Sequence, residues 1–346
     1  MQINLSERTL HVKEGEVAFQ QNRKEHHSII ISITDELGKR IGLGECSPVA
    51  GISCDADSYI RMSDVAQLIN EALQSEDYTK HLAPYPALLF ALESALYDYQ
   101  QNPLLYDTPF AHSQAGIPSY AVVNVEGYEG MLQRSKRLIL KGYRHLKLCV
   151  REGGEDDLMR VVCTLRSRLS EDTLKLSIDA LGALGIEGAN KLVKELKPYG
   201  IHQIEQPIKQ YQWKDTAELC RMAREEGTAP IALDEELIGV NALEEKRILL
   251  DTIRPQFIVI KPMLHGGITG AIEWANEAMK RNIGVVVSAT QEGNIGLRNV
   301  ALLAARIFGS RCTETQGLGT GPLYRDDTEM DIEMQGNKLW RSLVED

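Results

Sequence analysis

Five short apolar runs in the middle of this 346-residue chain end in residues that can do chemistry. LKLSID ends at Asp179, IHQIE at Glu205, PIALD at Asp234, FIVIK at Lys261 and GVVVS at Ser288. Each end follows the last by 26 to 29 residues, the length of one strand plus one helix. Side chains at one height on neighbouring strands converge. Three converging carboxylates repel, and one takes up a proton unless a cation neutralises the set. Oxygen-only ligands with open positions suit Mg²⁺, with Mn²⁺ as a substitute. Asp179, Glu205 and Asp234 are therefore expected to hold a metal. The plain alternative is three unrelated polar caps, which three consecutive units followed by a lysine argue against.

Lys261 follows FIVI and precedes Pro262. Burial and a nearby metal would lower its pKa toward the range useful for proton transfer. The alternative is a rim lysine paired with a carboxylate. In HLKLCV (145–150), alternation puts His145, Lys147 and Cys149 on one face, so Lys147 points into the same mouth from the side opposite Lys261. Its alternative is a salt bridge to Asp179. A metal between two lysines suits removal of a proton next to a carboxylate, so a small-molecule carboxylate is the expected substrate. One of Glu235 and Glu236 is expected to orient a ligand or a lysine, and the other to be solvated. Cys149, Ser288 and Glu292 are further candidates at the pocket wall. GLGTG (317–321) follows the last strand and leads into a polar tail, so it is read as a tight loop and not a dinucleotide site.

The elements that position these residues form a repeat. From about residue 117, eight runs alternate with helical patterns: AVVNV (121–125), HLKLCV, the five above, and SRCTE (310–314). KDTAELCRMAREEG and GAIEWANEAMKRNIG both end in glycine, a helix stop. Eight strand–helix units close into a barrel, whose catalytic groups sit at the C-terminal strand ends. An open doubly wound sheet would carry a Gly-rich turn after its first strand, which is missing. Ahead of the barrel, SIIISITDELGKRIGLGE reads as strand, turn and strand, with the turn at Asp35 to Lys39. GECSPVAGIS (44–53) reads as a loop. Helical patterns follow near 57–74 and at 86–100, where Leu88, Leu92, Ala95, Leu96 and Tyr99 form one stripe. The expected fold is an α/β (β/α) barrel over 116–324 behind an N-terminal α+β unit over 1–115. The tail, 325–346, is expected to return to that unit.

Composition narrows the function. With 43% hydrophobic and 25% charged residues the chain is of ordinary globular type. A net charge of −11 is a poor match for nucleic acid or anionic lipid. No apolar run is long enough to span a bilayer, and the first residues lack a signal-peptide pattern. The six cysteines form no C-x-x-C pair, which argues against a zinc site or a disulfide framework. A reducing cytoplasm is the expected compartment. Nothing in the sequence speaks to the oligomeric state.

IALDEELIG, IEQPI, KPMLHGG and QGLGTGPL together resemble the enolase superfamily, and more narrowly its o-succinylbenzoate synthases. GECSPVAGIS resembles the capping-domain loop of that family, so the likeness covers nearly the whole chain. It implies a modified TIM barrel whose mouth is closed by the capping domain, with Ser47, Gly51 and Ile52 as candidate contacts from the cap. It implies Mg²⁺ on Asp179, Glu205 and Asp234, and Lys261 as the lysine of the sixth strand. The implied reaction is syn loss of water from 2-succinyl-6-hydroxy-2,4-cyclohexadiene-1-carboxylate through a metal-stabilised enediolate. One lysine removes the proton and the other favours the charge. Two positions depart from the family pattern. Lys147-Leu148-Cys149 stands where the family has Lys-x-Lys, and Asp179-Ala180-Leu181-Gly182 stands for its D-A-N-G. Cys149 keeps two alternatives open: a racemase or cycloisomerase such as an N-succinylamino acid racemase, or an impaired metal-binding homologue.

Overall fold

The computed structural model describes residues 1–14, 24–38, 41–59, 61–309, 312–319 and 323–342. The N-terminal unit opens with an antiparallel sheet of β1 (Gln2–His11), β2 (Glu25–Thr34) and β3 (Ile41–Cys46), in that order. The turn after β2 is closed by Gly38 N donating to Asp35 O at 3.1 Å. Lys39, the expected end of that turn, lies outside the described residues. Four helices follow: α1 (Met62–Gln74), α2 (Tyr78–His81), α3 (Pro86–Gln100) and α4 (Pro103–Tyr106). In α3 the expected stripe is only part of the buried surface. Leu89, Phe90 and Ala91 are buried too, because the helix lies between the N-terminal sheet and the barrel. Gly42 and Gly44 let β3 approach it, since a Cβ at Gly44 would strike the carbonyl of Ala91.

After β4 (Ile117–Pro118), seven parallel strands lie side by side in chain order. They are β5 (Ala121–Val123), β6 (His145–Cys149), β7 (Lys175–Asp179), β8 (Ile201–Glu205), β9 (Ile231–Leu233), β10 (Phe257–Ile260) and β11 (Gly284–Val287). Between and after them run α5 (Tyr128–Leu140), α6 (Glu155–Arg166), α7 (Ile186–Glu195), α8 (Trp213–Glu226), α9 (Leu243–Ile253), α10 (Gly267–Lys280) and α11 (Asn294–Phe308). Parallel bridges from Gly317 to Ser288 and from Gln316 to Ser119 join the two outer strands through one short segment.

That segment corrects the expected eighth strand. Cys312 to Glu314 are not strand, and Ser310 and Arg311 lie outside the described residues. The eighth position is held by Gln316 and Gly317. Gln316 Oε1 accepts from Val287 N at 2.7 Å, so a side chain supplies a bond that a longer strand would make with its backbone. Gly317 is required by close packing, since a Cβ there would strike Ser288 Oγ and Tyr120 Oη. A helix end also differs. Gly227 takes the left-handed turn after α8, as expected, but Asn282 (φ 57) does so after α10. Gly284 instead opens β11, where the Phe257 ring leaves no room for a Cβ.

The tail forms β12 (Ile332–Gln335) and β13 (Lys338–Arg341), which pair with each other and with β4. Ahead of β12, Arg325 N donates to His11 O at 3.0 Å, and His11 N donates to Asp326 Oδ1 at 2.8 Å. Among the described residues no helix is long and apolar enough to cross a membrane.

Candidate active site

The strand ends meet as their spacing requires. Asp179 and Glu205 are adjacent partners in the ladder of β7 and β8, and Asp234 and Lys261 directly follow β9 and β10. All are almost fully buried, and so is Lys147. The carboxylates are held by lysines. Lys147 Nζ lies 2.9 Å from Asp179 Oδ2 and 3.1 Å from both oxygens of Glu205. Lys261 Nζ donates to Asp234 Oδ2 and stands 4.0 Å from Glu205 Oε1. Both pairings foreseen as plain alternatives are thus present.

This arrangement sets the protonation states. Burial by itself would lower the Lys261 pKa, but Asp234, Glu205 and Glu235 overcome it and hold the ammonium above the usual lysine range. That reverses the expected direction for Lys261. Burial likewise opposes the charge on Lys147, and Asp179 and Glu205 outweigh it. Burial and the nearby Asp179 push Glu205 well up. At Asp234 burial is outweighed by Lys261, and its pKa falls. Cys149 lines the cavity, and burial together with Asp179 pushes its thiol up, so the thiolate is disfavoured.

Three positioning groups were not foreseen. His265, four residues past Lys261, accepts from Lys261 N through Nδ1 at 2.9 Å, and its Nε2 lies 3.9 Å from Asp234 Oδ1. Burial lowers its pKa to about 3, so it is neutral. Gln206 Oε1 accepts from Asp234 N at 3.1 Å and from Glu236 N at 3.2 Å, which fixes the turn after β9. Tyr120 places its ring 5.2 Å from Lys147 Nζ and donates to Ser288 Oγ at 3.4 Å. His265 and Gln206 were in view within KPMLHGG and IEQPI. Tyr120 sits one residue before the first run.

Neither Glu235 nor Glu236 is fully solvated. Glu236 is buried and accepts from Tyr211 N at 2.8 Å. Glu235 is half-buried, and burial raises its pKa to about 8. Ser288 lines the cavity. Glu292 is turned away into the protein, where Oε2 accepts from Thr290 N at 2.6 Å, and Thr290 and Gln291 line the wall in its place. Of the candidates in the capping loop, Ile52 lines the cavity. Ser47 is buried against His26, and Gly51 is a turn residue at φ 79. The part of GLGTG that is described, Gly317 to Gly319, contributes its two glycines to the cavity wall, while Thr320 and Gly321 lie outside the described residues.

The cavity measures about 210 Å³. Among its described lining residues, Arg134, Lys141, Lys147 and Lys261 are cationic and only Asp179 is acidic.

No three metal-binding side chains stand ready as a cluster among the described residues, because Lys147 lies between Asp179 and Glu205. The donor set nevertheless fits a hard divalent cation. All three ligands are carboxylates, and Asp234 Oδ1 and Glu235 Oε2 are buried with no partner. Each such orphan oxygen costs about 1–3 kcal/mol. Asp179, Glu205 and Asp234 would hold such a cation, in competition with the Lys147 ammonium that now pairs with the first two.

Residues 130–336 match the family model described as "Enolase C-terminal domain-like". The chain is 33% identical to the o-succinylbenzoate synthase of Desulfotalea psychrophila over 280 residues, 80% of this chain and 73% of the relative. A crystal structure from Desulfotalea psychrophila, 28% identical, superposes with a TM-score of 0.78 and covers 98% of this chain and 99% of that one. The dipeptide epimerase of Enterococcus faecalis, solved with Mg and the dipeptide L-Leu-L-Tyr, shares the fold at a TM-score of 0.81 and 19% identity, over 99% of this chain and 96% of its own. The family-model match over residues 130–336 and the 33% identity to a family enzyme over 80% of the chain make this chain a member of the enolase superfamily.

Proposed function

We propose that the chain is a divalent-metal-dependent dehydratase that converts 2-succinyl-6-hydroxy-2,4-cyclohexadiene-1-carboxylate to o-succinylbenzoate. The observation that carries the reading is the unequal pair of groups on the two sides of the mouth. Racemisation needs proton exchange on both faces of the α-carbon. On the side opposite Lys261 stand the Cys149 thiol, whose ionisation burial suppresses, and Lys147, which Asp179 and Glu205 hold as the ammonium. Elimination on one face needs Lys261 alone.

A bound cation on Asp179, Glu205 and Asp234 would withdraw charge from the substrate carboxylate. Neutralising those carboxylates removes the influence that raises the Lys261 pKa, and burial then favours the free amine. Lys261 Nζ takes the proton from the carbon next to the carboxylate. As the C–O bond breaks and the ring becomes aromatic, the same ammonium returns that proton to the departing hydroxyl, which leaves as water. Lys147 stays charged and favours the negative charge that builds up between these steps. His265 and Gln206 hold Lys261 and Asp234 in register through the backbone bonds described above.

The test is direct. Protein, Mg²⁺ and the cyclohexadiene carboxylate should yield o-succinylbenzoate. No product, together with racemisation of N-succinylamino acids or dipeptides, would overturn the reading. An inert protein that gains turnover on Cys149→Lys would mark the chain as a scaffold that lost its base.

A further inference from the structure

Buried polar groups are nearly always hydrogen-bonded. On the loop after β11 three are not: Thr290 Oγ1, Gln291 Nε2 and Glu292 Oε1 are buried and have no partner among the described residues, and the first two belong to neutral donors. Thr290 and Gln291 line the cavity, and Gln291 is only 3% exposed. Their main chain is well anchored. Thr290 N donates to Glu292 Oε2, Tyr324 Oη donates to Gln291 O, and Gly293 N donates to Glu45 Oε1 at 2.8 Å. The loop is therefore tied at Thr290, Gln291 and Gly293, and it holds two unpartnered neutral donors on residues that line the wall. Ile52 of the capping loop and Leu323 line the same cavity. Donors held in place without a partner point to an acceptor that arrives with the ligand.

We propose that Thr290 and Gln291 form a subsite that donates hydrogen bonds to an acceptor oxygen on the substrate side chain, remote from the carbon that loses its proton. The identity of that side chain rests on the function proposed above, in which it carries one ketone and one carboxylate.

Gln291→Leu keeps the bulk and removes the amide. An unpartnered buried amide contributes nothing to the ligand-free fold, so the variant should melt at the same temperature or higher. Calorimetry with Mg²⁺ present should show o-succinylbenzoate binding weakened about tenfold, as for loss of a hydrogen bond to a carbonyl or carboxylate. Binding of benzoate, which lacks the side chain, should be unchanged. A third ligand, 2-butanoylbenzoate, keeps the ketone and lacks the distal carboxylate. Weakening of this ligand as well assigns the contact to the ketone, and weakening of o-succinylbenzoate alone assigns it to the carboxylate. Thr290→Val should act in the same direction. Unchanged o-succinylbenzoate affinity in both variants overturns the subsite, as does an equal loss for benzoate. These affinity ratios need no catalysis, so absence of turnover in the natural protein counts against the proposed reaction and not against the subsite.

Discussion

Two sets of buried carboxylates in this protein are neutralised in contrasting ways: those of the barrel mouth, and Glu93 and Glu45 at the seam between the N-terminal unit and the barrel. At the seam, Glu93 of α3 accepts from Ile268 N at 2.5 Å and Thr269 N at 3.2 Å, in the first turn of α10. Glu45 of β3 accepts from Gly293 N at 2.8 Å and Gly296 N at 2.9 Å, at the start of α11. These partners are backbone dipoles that cannot leave. In the mouth the partners are ammonium groups on flexible stems, and those can leave. Fixed dipoles keep the N-terminal unit seated on the barrel. Removable cations would let the mouth exchange a lysine for a metal, as the proposed function requires.

The largest effect should follow from Lys261→Ala. Turnover should fall by about 10³-fold or more, while calorimetric Mg²⁺ binding persists. Lost metal binding would assign Lys261 to the architecture of the site and not to proton transfer. The seam counterpart is Glu93→Ala, which leaves the donors at the start of α10 unmet. It should cost about 3 kcal/mol of stability in urea unfolding and leave the Mg²⁺ affinity of the folded protein unchanged.

The same residue gives a pH signature. Burial raises the Glu93 pKa from 4.5 to about 7, against the bonds from Thr269 and Ile268 and with Glu273 nearby. A raised carboxylate pKa means that the folded chain keeps a proton the unfolded chain has lost. Its contribution to stability is full below about 4.5, declines as pH rises and is gone above about 7. Urea midpoints across that window should fall with pH less steeply in Glu93→Gln than in the natural protein. Equal slopes would place the titration elsewhere.

Lys147→Met should tighten Mg²⁺ binding several-fold by removing the cation that competes for Asp179 and Glu205, and it should lower stability in the absence of metal. Unchanged affinity would mean that the two cations do not share those carboxylates. The smallest effect concerns Leu181, which sits at φ 55, a region that asparagine enters more readily than leucine. Leu181→Asn should stabilise the fold by about 1 kcal/mol, read as a rise in melting temperature.

The barrel strands were legible because each is a short apolar run with a polar residue at its end, and burial of both faces leaves little choice of pattern. The eighth position was not, because Gln316 and Gly317 carry no apolar run. A side-chain amide and a missing Cβ do the closing there. Glu292 was singled out for its place just past the seventh strand, yet Thr290 and Gln291 line the cavity, since the direction of a side chain in a loop depends on the turn and not on position alone.

The sequence by itself determined the repeat, the strand ends and the oxygen-only character of the site. Those follow from local periodicity and from the identity of single residues. Only the tertiary structure decided which cation sits on which carboxylate, which lysine pKa rises, and how the N-terminal unit is fastened. These depend on distances between groups far apart in the chain. Glu93 and Ile268, or Lys147 and Glu205, carry no signal of each other until the fold buries them together and raises the cost of leaving their charges unmet.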